Sequence, residues 1–264
     1  EFVPPVVTET GNNEDVNDFY INLTDAKGRE KMFSEVTDIY DFIKLKLTAL
    51  ELLITQWNGC HEQNKCKFPY MCVEDYELHR IFVESNNKII SFGFSLKIQA
   101  KSDKIDAFIL IKKDDSEKTK KIKISAKHIS DAIAILNQVV KEKGLYNDIT
   151  FDDWENIPSE EGKYLFEYLL FEEPAYIRYD YDKQAAKGKR SIVHPQYHFD
   201  INFTKNHSYK LGLPKSIDEN ELRNIFLSKD FCRMISLKKN RINRGTKSSR
   251  NNNLKFLKKS RGQY

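Results

Sequence analysis

The chain is 264 residues long, 40% hydrophobic and 12% aromatic, a globular composition that excludes an intrinsically disordered protein. Its net charge is +4 and no run of 18 apolar residues occurs, so no membrane-spanning helix is expected; the opening residues also lack the basic start and apolar core of a secretion signal, which predicts a cytoplasmic protein. Ten glycines, with no G-x-S-x-G elbow and no phosphate-cradling G-x-x-x-x-G-K-[ST] loop, argue against an ATPase or a dinucleotide oxidoreductase.

Residues 1–18 read as an extended lead. From 34 to 57 the apolar positions Val36, Ile39, Tyr40, Ile43, Leu47, Leu50 and Ile54 recur at helical spacing and predict one long amphipathic helix. A meander follows over 79–125: RIFVES, an Asn86-Asn87 turn, KIISFGFSLKIQA read as one strand, KIDAFILIKK and TKKIKIS. Their short connections require antiparallel pairing. Two helices are expected within 126–172, the first with Ile129, Ile133, Leu136 and Val140 on one stripe, the second capped by Ser159. A hairpin at 176–203 comes next. Ser216 and Glu219 then match a capping box that opens a helix over 217–228. The expected fold is α+β: a single domain over 19–232, built on a mostly antiparallel sheet of about six strands with flanking helices.

The tail, 233–264, holds 11 Lys or Arg and no acidic residue. Of the 43 basic residues in the chain, 32 therefore face 39 acidic ones before it, which leaves residues 1–232 near −7. A basic tail on an acidic body suits phosphate contacts, each of which releases a condensed counterion; a tail folded back on its own body is the plainer alternative.

The stretch YIRYDYDKQAAKGKRSIVHPQYHFDINF concentrates the chemistry. Alternate side chains of a strand share a face. Arg178, Asp180 and Asp182 therefore lie opposite Ile177, Tyr179 and Tyr181, while His198, Asp200 and Asn202 lie opposite Phe199, Ile201 and Phe203. The hairpin is expected to show one aromatic, core-facing surface and one polar surface. Symmetric pairing about Gly188 sets Arg178 across from His198 and Asp182 near His194.

Three chemistries suit these groups. Asp180, Asp182, His194, His198 and Asp200 are oxygen and imidazole ligands for a divalent metal that activates water against a phosphodiester. Alternatively, His194 and His198 act as general acid and base, with Arg178 stabilising a phosphoryl group. In the third, Arg178 holds a phosphate or carboxylate without chemistry, while Lys187, Lys189 and Arg190 steer it in. A polar face whose charges merely neutralise one another is the bland alternative, and exposed pairs of that kind contribute only about 0–1 kcal/mol.

R-x-D-x-D (Arg178, Asp180, Asp182), a basic loop, H-P-x-x-H (His194, Pro195, His198), and a short apolar-basic strand with Lys210 leading into Leu213-Pro214 and a helix resemble the C-terminal core of bacterial domain-of-unknown-function proteins encoded near restriction and phage-defence genes. The match covers 174–232. It implies a setting in defence against foreign nucleic acid and establishes no reaction.

A second, weaker candidate is zinc at Cys60, His61, Cys66 and Cys72, whose spacing lacks the C-x-x-C knuckle. The function expected is that of a nucleic-acid-acting effector, a nuclease or phosphodiesterase of a bacterial defence or toxin system. Its site would be Arg178, Asp180, Asp182, His194, His198 and Asp200, with Mg or Mn as the cofactor. Nucleic acid would be gripped by Lys187, Lys189, Arg190, Lys238, Lys239, Arg241 and Arg244. The alternative is a non-catalytic accessory subunit that binds a partner protein or nucleic acid in a defence complex.

Overall fold

The computed structural model describes residues 18–23, 25–57, 60–75, 77–101, 104–112, 119–142, 158–184, 195–203 and 209–227. All of them belong to one of the two compact units into which the chain divides, Glu1–Ser228. Residues 1–17 of the lead and the basic tail, with Lys238, Lys239, Arg241 and Arg244, lie outside the described residues.

In chain order the elements are β1 (Asp18–Asn22), α1 (Ala26–Met32), α2 (Ile39–Gln56), β2 (Tyr70–Glu74), β3 (Arg80–Ser85), β4 (Lys88–Gly93), β5 (Lys97–Lys101), β6 (Lys104–Lys112), β7 (Thr119–Lys123), α3 (Ala126–Glu142), α4 (Glu160–Phe171), β8 (Ile177–Tyr181), β9 (Tyr197–Ile201), β10 (Tyr209–Gly212) and α5 (Glu219–Leu227). Seven strands make one sheet in the order β1-β2-β3-β4-β8-β9-β10, and β5-β6-β7 make a second. Every pairing is antiparallel, so the fold is α+β. Where one sheet of about six strands was expected, the described residues form ten strands in two sheets. KIISFGFSLKIQA is not one strand: β4 ends at Gly93, and β5 begins at Lys97 in the other sheet.

Helix α2 begins at Ile39 rather than 34, because the Asp38 carboxylate accepts the Tyr40 and Asp41 N–H groups, both at 3.0 Å. It is buried on most of its circumference, as suits a helix in the middle of a core. Each Leu or Phe buried there contributes about 1.5–3 kcal/mol. One cation, Lys46, sits fully buried among them. Glu172 pairs with it and also accepts the Ser95 N–H at 2.8 Å. Such a pair is costly to break, since a lone buried charge is left behind.

The large sheet has a core on each face. On one, Phe19, Ile21, Met71, Val73, Ile81, Val83, Ile90 and Phe92 join the core built around α2. On the other, Tyr20, Tyr70, Cys72, Phe82, Ile89, Tyr179 and Phe199 pack with Leu222, Ile225 and Phe226 of α5. Helix α5 is opened by Asp218 and Glu221, whose side chains and N–H groups bond reciprocally at 2.8 and 3.3 Å; the capping box is thus two residues later than Ser216 and Glu219 suggested. The Ser216 hydroxyl instead meets that of Tyr179 at 3.0 Å.

A polar network ties α5 to the sheet. The Tyr70 hydroxyl donates to Glu219 at 2.7 Å, contacts Glu84, and accepts from Gln63 Nε2 at 2.7 Å. Arg223 donates to Glu219 at 2.6 Å and to Asp18 at 2.8 Å, and its Nη2 lies 2.7 Å from Cys72 Sγ.

Candidate functional site

The cross-strand register places the polar side chains. One row runs Val83, Ile90, Arg178, Asp200, Lys210; the next runs Ser85, Lys88, Asp180, His198, Gly212. The apolar face of β3 and β4 therefore passes into a charged cluster on β8, β9 and β10 without changing sides. Arg178 faces Asp200 and Asp180 faces His198, which corrects the expected opposition of Arg178 and His198 by two residues. An even offset keeps every side chain on its face, so the polar set stays together. The aromatic side differs at its end, where Ile201, expected to face the core, is 37% exposed. Asn202 takes a left-handed backbone with φ of 62°, and beyond it Phe203 packs on the α2 side, stacked on Phe42 at 5.2 Å between ring centres, instead of joining Phe199.

Arg178 bridges the two carboxylates, donating from Nε to Asp180 Oδ2 at 2.7 Å and from Nη2 to Asp200 Oδ2. Lys210 Nζ donates to Asp200 Oδ1 at 2.6 Å and lies 3.3 Å from His198 Nε2. The remaining imidazole nitrogen, Nδ1, is 2.9 Å from the Pro195 carbonyl. A carbonyl can only accept, so Nδ1 carries the proton and Nε2 presents its lone pair to the cluster. Pro195 approaches this closely because residue 212 is glycine: a Cβ there would stand 2.9 Å from Pro195 Cγ.

The charges are set by these neighbours. Burial lowers the pKa of His198, with the Lys210 ammonium acting in the same direction, so the ring is neutral near pH 7. Burial works against the charge of Asp200, yet Lys210 and Arg178 outweigh it and hold the carboxyl below the usual range. His198 and Asp200 are buried, while Asp180, Arg178 and Lys210 keep 18, 23 and 27% of their side-chain surface, so the cluster is reached from the Asp180–Lys210 side. Next to it, the Tyr176 hydroxyl is buried without a hydrogen-bond partner. Burial pushes its pKa up to about 12, and Arg178, Asp180 and Asp200 are the charges that act on it. Arg178, which can only donate, acts on the oxygen and leaves the hydroxyl proton without an acceptor, a rare state for a buried group.

Asp180, His198 and Asp200 offer one ligand atom each within 4.8 Å of one another, the one such group among the described residues. His198 Nε2 lies 3.9 Å from Asp180 Oδ2 and 4.0 Å from Asp200 Oδ2. Ligands about 2.1 Å from one ion stand roughly 3.0–3.4 Å apart in octahedral or tetrahedral geometry, so His198 must close on each carboxylate by about 0.5–1 Å. The donor set of two carboxylates and a neutral imidazole suits Mn, Zn or Mg. Lys210 Nζ, between His198 and Asp200, shows that the place attracts a cation.

The other candidates fall elsewhere. Asp182 lies past the end of β8, where Oδ1 accepts the Gln184 N–H at 2.8 Å; it shapes the turn and is not in the converging group. His194, Lys187, Lys189 and Arg190 lie outside the described residues. The four proposed zinc ligands do not meet. Cys60 and Cys66 touch, with sulfurs 3.4 Å apart, but Cys72 is buried against Arg223 and His61 Nδ1 bonds to the Asp18 carbonyl at 3.0 Å. Three site residues were not read as such from the sequence: Lys210, Tyr176 and Lys88, whose Nζ is 3.9 Å from Asp180. Extending the alternation of β9 onto a paired β10 would have placed Lys210 in the cluster. No helix among the described residues is long and apolar enough to cross a membrane. Comparison with protein-family models, with curated protein sequences and with solved structures gave no match.

Proposed function

We propose that the protein is a metal-assisted phosphodiesterase acting on nucleic acid, with its reaction centre at Asp180, His198 and Asp200. The observation that carries this reading is the convergence of those three ligand atoms beside two cations, Arg178 and Lys210, and an unpartnered hydroxyl, that of Tyr176. A divalent ion held there would polarise a phosphoryl oxygen and lower the pKa of water at the site. Around it, Arg178 presents a planar donor fork suited to a phosphate, and Lys210 supplies a second positive charge. The Tyr176 hydroxyl supplies a neutral donor. His198, with its proton fixed on Nδ1 by Pro195, keeps Nε2 free of a proton near pH 7. A role in defence against foreign nucleic acid rests on the resemblance of residues 174–232 alone.

A second reading, a non-catalytic subunit that binds nucleic acid or a partner protein, is favoured by one observation. Arg178 and Lys210 already neutralise both carboxylates, as they would in a site built only to stand. The two readings separate on turnover. Purified protein is incubated with labelled single- and double-stranded DNA and RNA, with Mg, with Mn and with chelator. Cleavage that needs the metal and is lost in a folded His198→Ala variant supports the phosphodiesterase. Binding without cleavage under every condition supports the subunit.

A further inference from the structure

The second sheet carries a surface that the site does not use. Its inner face, with Ile98, Ile105, Ala107, Ile109 and Ile122, belongs to the main core. On the outer face the register aligns Lys97, Phe108 and Lys123 in one row and sets Leu110 opposite Lys121 in the next, while Lys101 faces Lys104. Five exposed lysines thus share this face with one carboxylate of the sheet, Asp106. Counting Asp75 as well, which reaches Lys97 at 3.6 Å, the face keeps a net charge of +3.

The lysines are arranged, not scattered. Lys97 and Lys101 lie on β5, Lys121 and Lys123 on β7, and the two rows stand about 10 Å apart across the central strand. Between them are Phe108, 8% exposed beneath the Lys121 ammonium that lies 3.7 Å from its ring centre, and Leu110, 43% exposed. Asp106 holds Lys101 at 2.5 Å and Lys123 at 2.6 Å, so one carboxylate fixes a cation from each row. Lysines on edge strands also discourage pairing with another chain. That purpose needs charge of either sign and no apolar strip between the rows.

We propose that the outer face of β5-β6-β7 binds a single strand of nucleic acid, its phosphates along the lysine rows and its bases over exposed Leu110 and the edge of Phe108. Positively charged tracks flanking an apolar floor are how single strands are held without sequence preference. The inference rests on the phosphodiesterase reading for the nature of the polymer, and it assigns that polymer a docking surface separate from the reaction centre.

The test is binding of the full chain to fluorescein-labelled oligo-dT and oligo-U by anisotropy, across a salt series. Each lost phosphate contact lowers the slope of log K against log salt by about 0.7 for a single strand. A Lys101→Ala/Lys121→Ala/Lys123→Ala variant is expected to lower it by about 2, whatever the basic tail adds to both proteins. Asp106→Asn, which removes the competing anion and keeps its shape, is expected to bind more tightly than the wild type. An unchanged slope in the triple variant overturns the proposal, as does binding to phosphatidylserine vesicles with none to the oligonucleotides. The measurement is repeated in His198→Ala: a lost slope there too shows the surface acting without turnover, so failure of the catalytic reading does not decide this one.

Discussion

Two polar networks lie on opposite faces of one sheet, and the proposed function rests on the difference between them. Under α5, Tyr70, Glu84, Glu219, Arg223, Asp18 and Gln63 meet with matched donors and acceptors, and the Tyr70 hydroxyl and the Glu219 carboxylate are sealed from solvent. On the other face, Arg178, Asp180, His198, Asp200 and Lys210 are also bonded to one another. That cluster, however, opens to solvent at Asp180 and Lys210, turns three ligand atoms to one point, and leaves the Tyr176 hydroxyl unpartnered beside it. A complete network holds elements together. One that keeps ligand atoms converging and a donor in reserve is the better candidate for a binding site.

The sharpest way to break the comparison is to damage each network in turn. Arg223→Met strips Glu219 and Asp18 of their partner and is expected to lower unfolding free energy by about 3–5 kcal/mol, while turnover per folded molecule is retained. Asp180→Asn is expected to do the reverse. Its cleavage rate should fall by about a hundredfold or more, and its unfolding free energy should stay within about 1 kcal/mol of wild type. Denaturant titration beside the cleavage assay reads both, and equal effects of the two variants on both quantities would erase the distinction.

Gly212→Ala sharpens it from the backbone. The added methyl forces Pro195 away and with it the carbonyl that fixes the His198 tautomer. Support of this kind around a metal ligand is worth about 10–100-fold in metal affinity or activity. Metal affinity measured by calorimetry should fall by that factor with the fold intact.

The α5 network has its own pH signature. Tyr70 has one proton and two carboxyl groups against it, and burial, helped by Glu219, raises the pKa of Glu84 from 4.5 to about 7. The native state therefore holds a proton that the unfolded chain releases near 4.5. The stabilisation is complete below that value and is lost as pH rises through about 7. Glu84→Gln, which keeps a neutral donor toward Tyr70, is expected to flatten the fall in stability between pH 5 and 8. The smallest effect is at the site itself. The His198 midpoint, followed by NMR, should lie below 6.5 and should rise in Lys210→Met, because the neighbouring ammonium disfavours the imidazolium.

Much of the site was legible before the structure, for a definite reason. Period-two alternation fixed which side chains of 176–203 share a face, and a register error of two residues leaves that sharing intact. The limit was the eleven-residue stretch between Lys183 and Pro195, since a long hairpin connection does not determine register. Strands β1 and β2 were missed because DFYIN and YMCVE are buried on both faces, so no alternation marks them. The break between β4 and β5 was hidden by the opposite effect. Ile90, Phe92, Phe94, Leu96 and Ile98 are all buried, and the alternation runs on while the chain changes sheets. In α3 the inward stripe is Ile129, Ala132, Ile135, Leu136 and Val139, with Val140, expected inside, 52% exposed. Lys210 was invisible as a site residue until β10 was paired with β9.

Mn titration of the full chain, followed by electron paramagnetic resonance, reads whether Asp180, His198 and Asp200 hold one divalent cation. The account predicts one Mn bound per chain, with a nitrogen coupling that disappears in His198→Ala and binding that weakens in Asp180→Asn. Absence of a bound Mn, or a site unaltered by both substitutions, would contradict it and leave the cluster as a self-neutralised corner of the sheet.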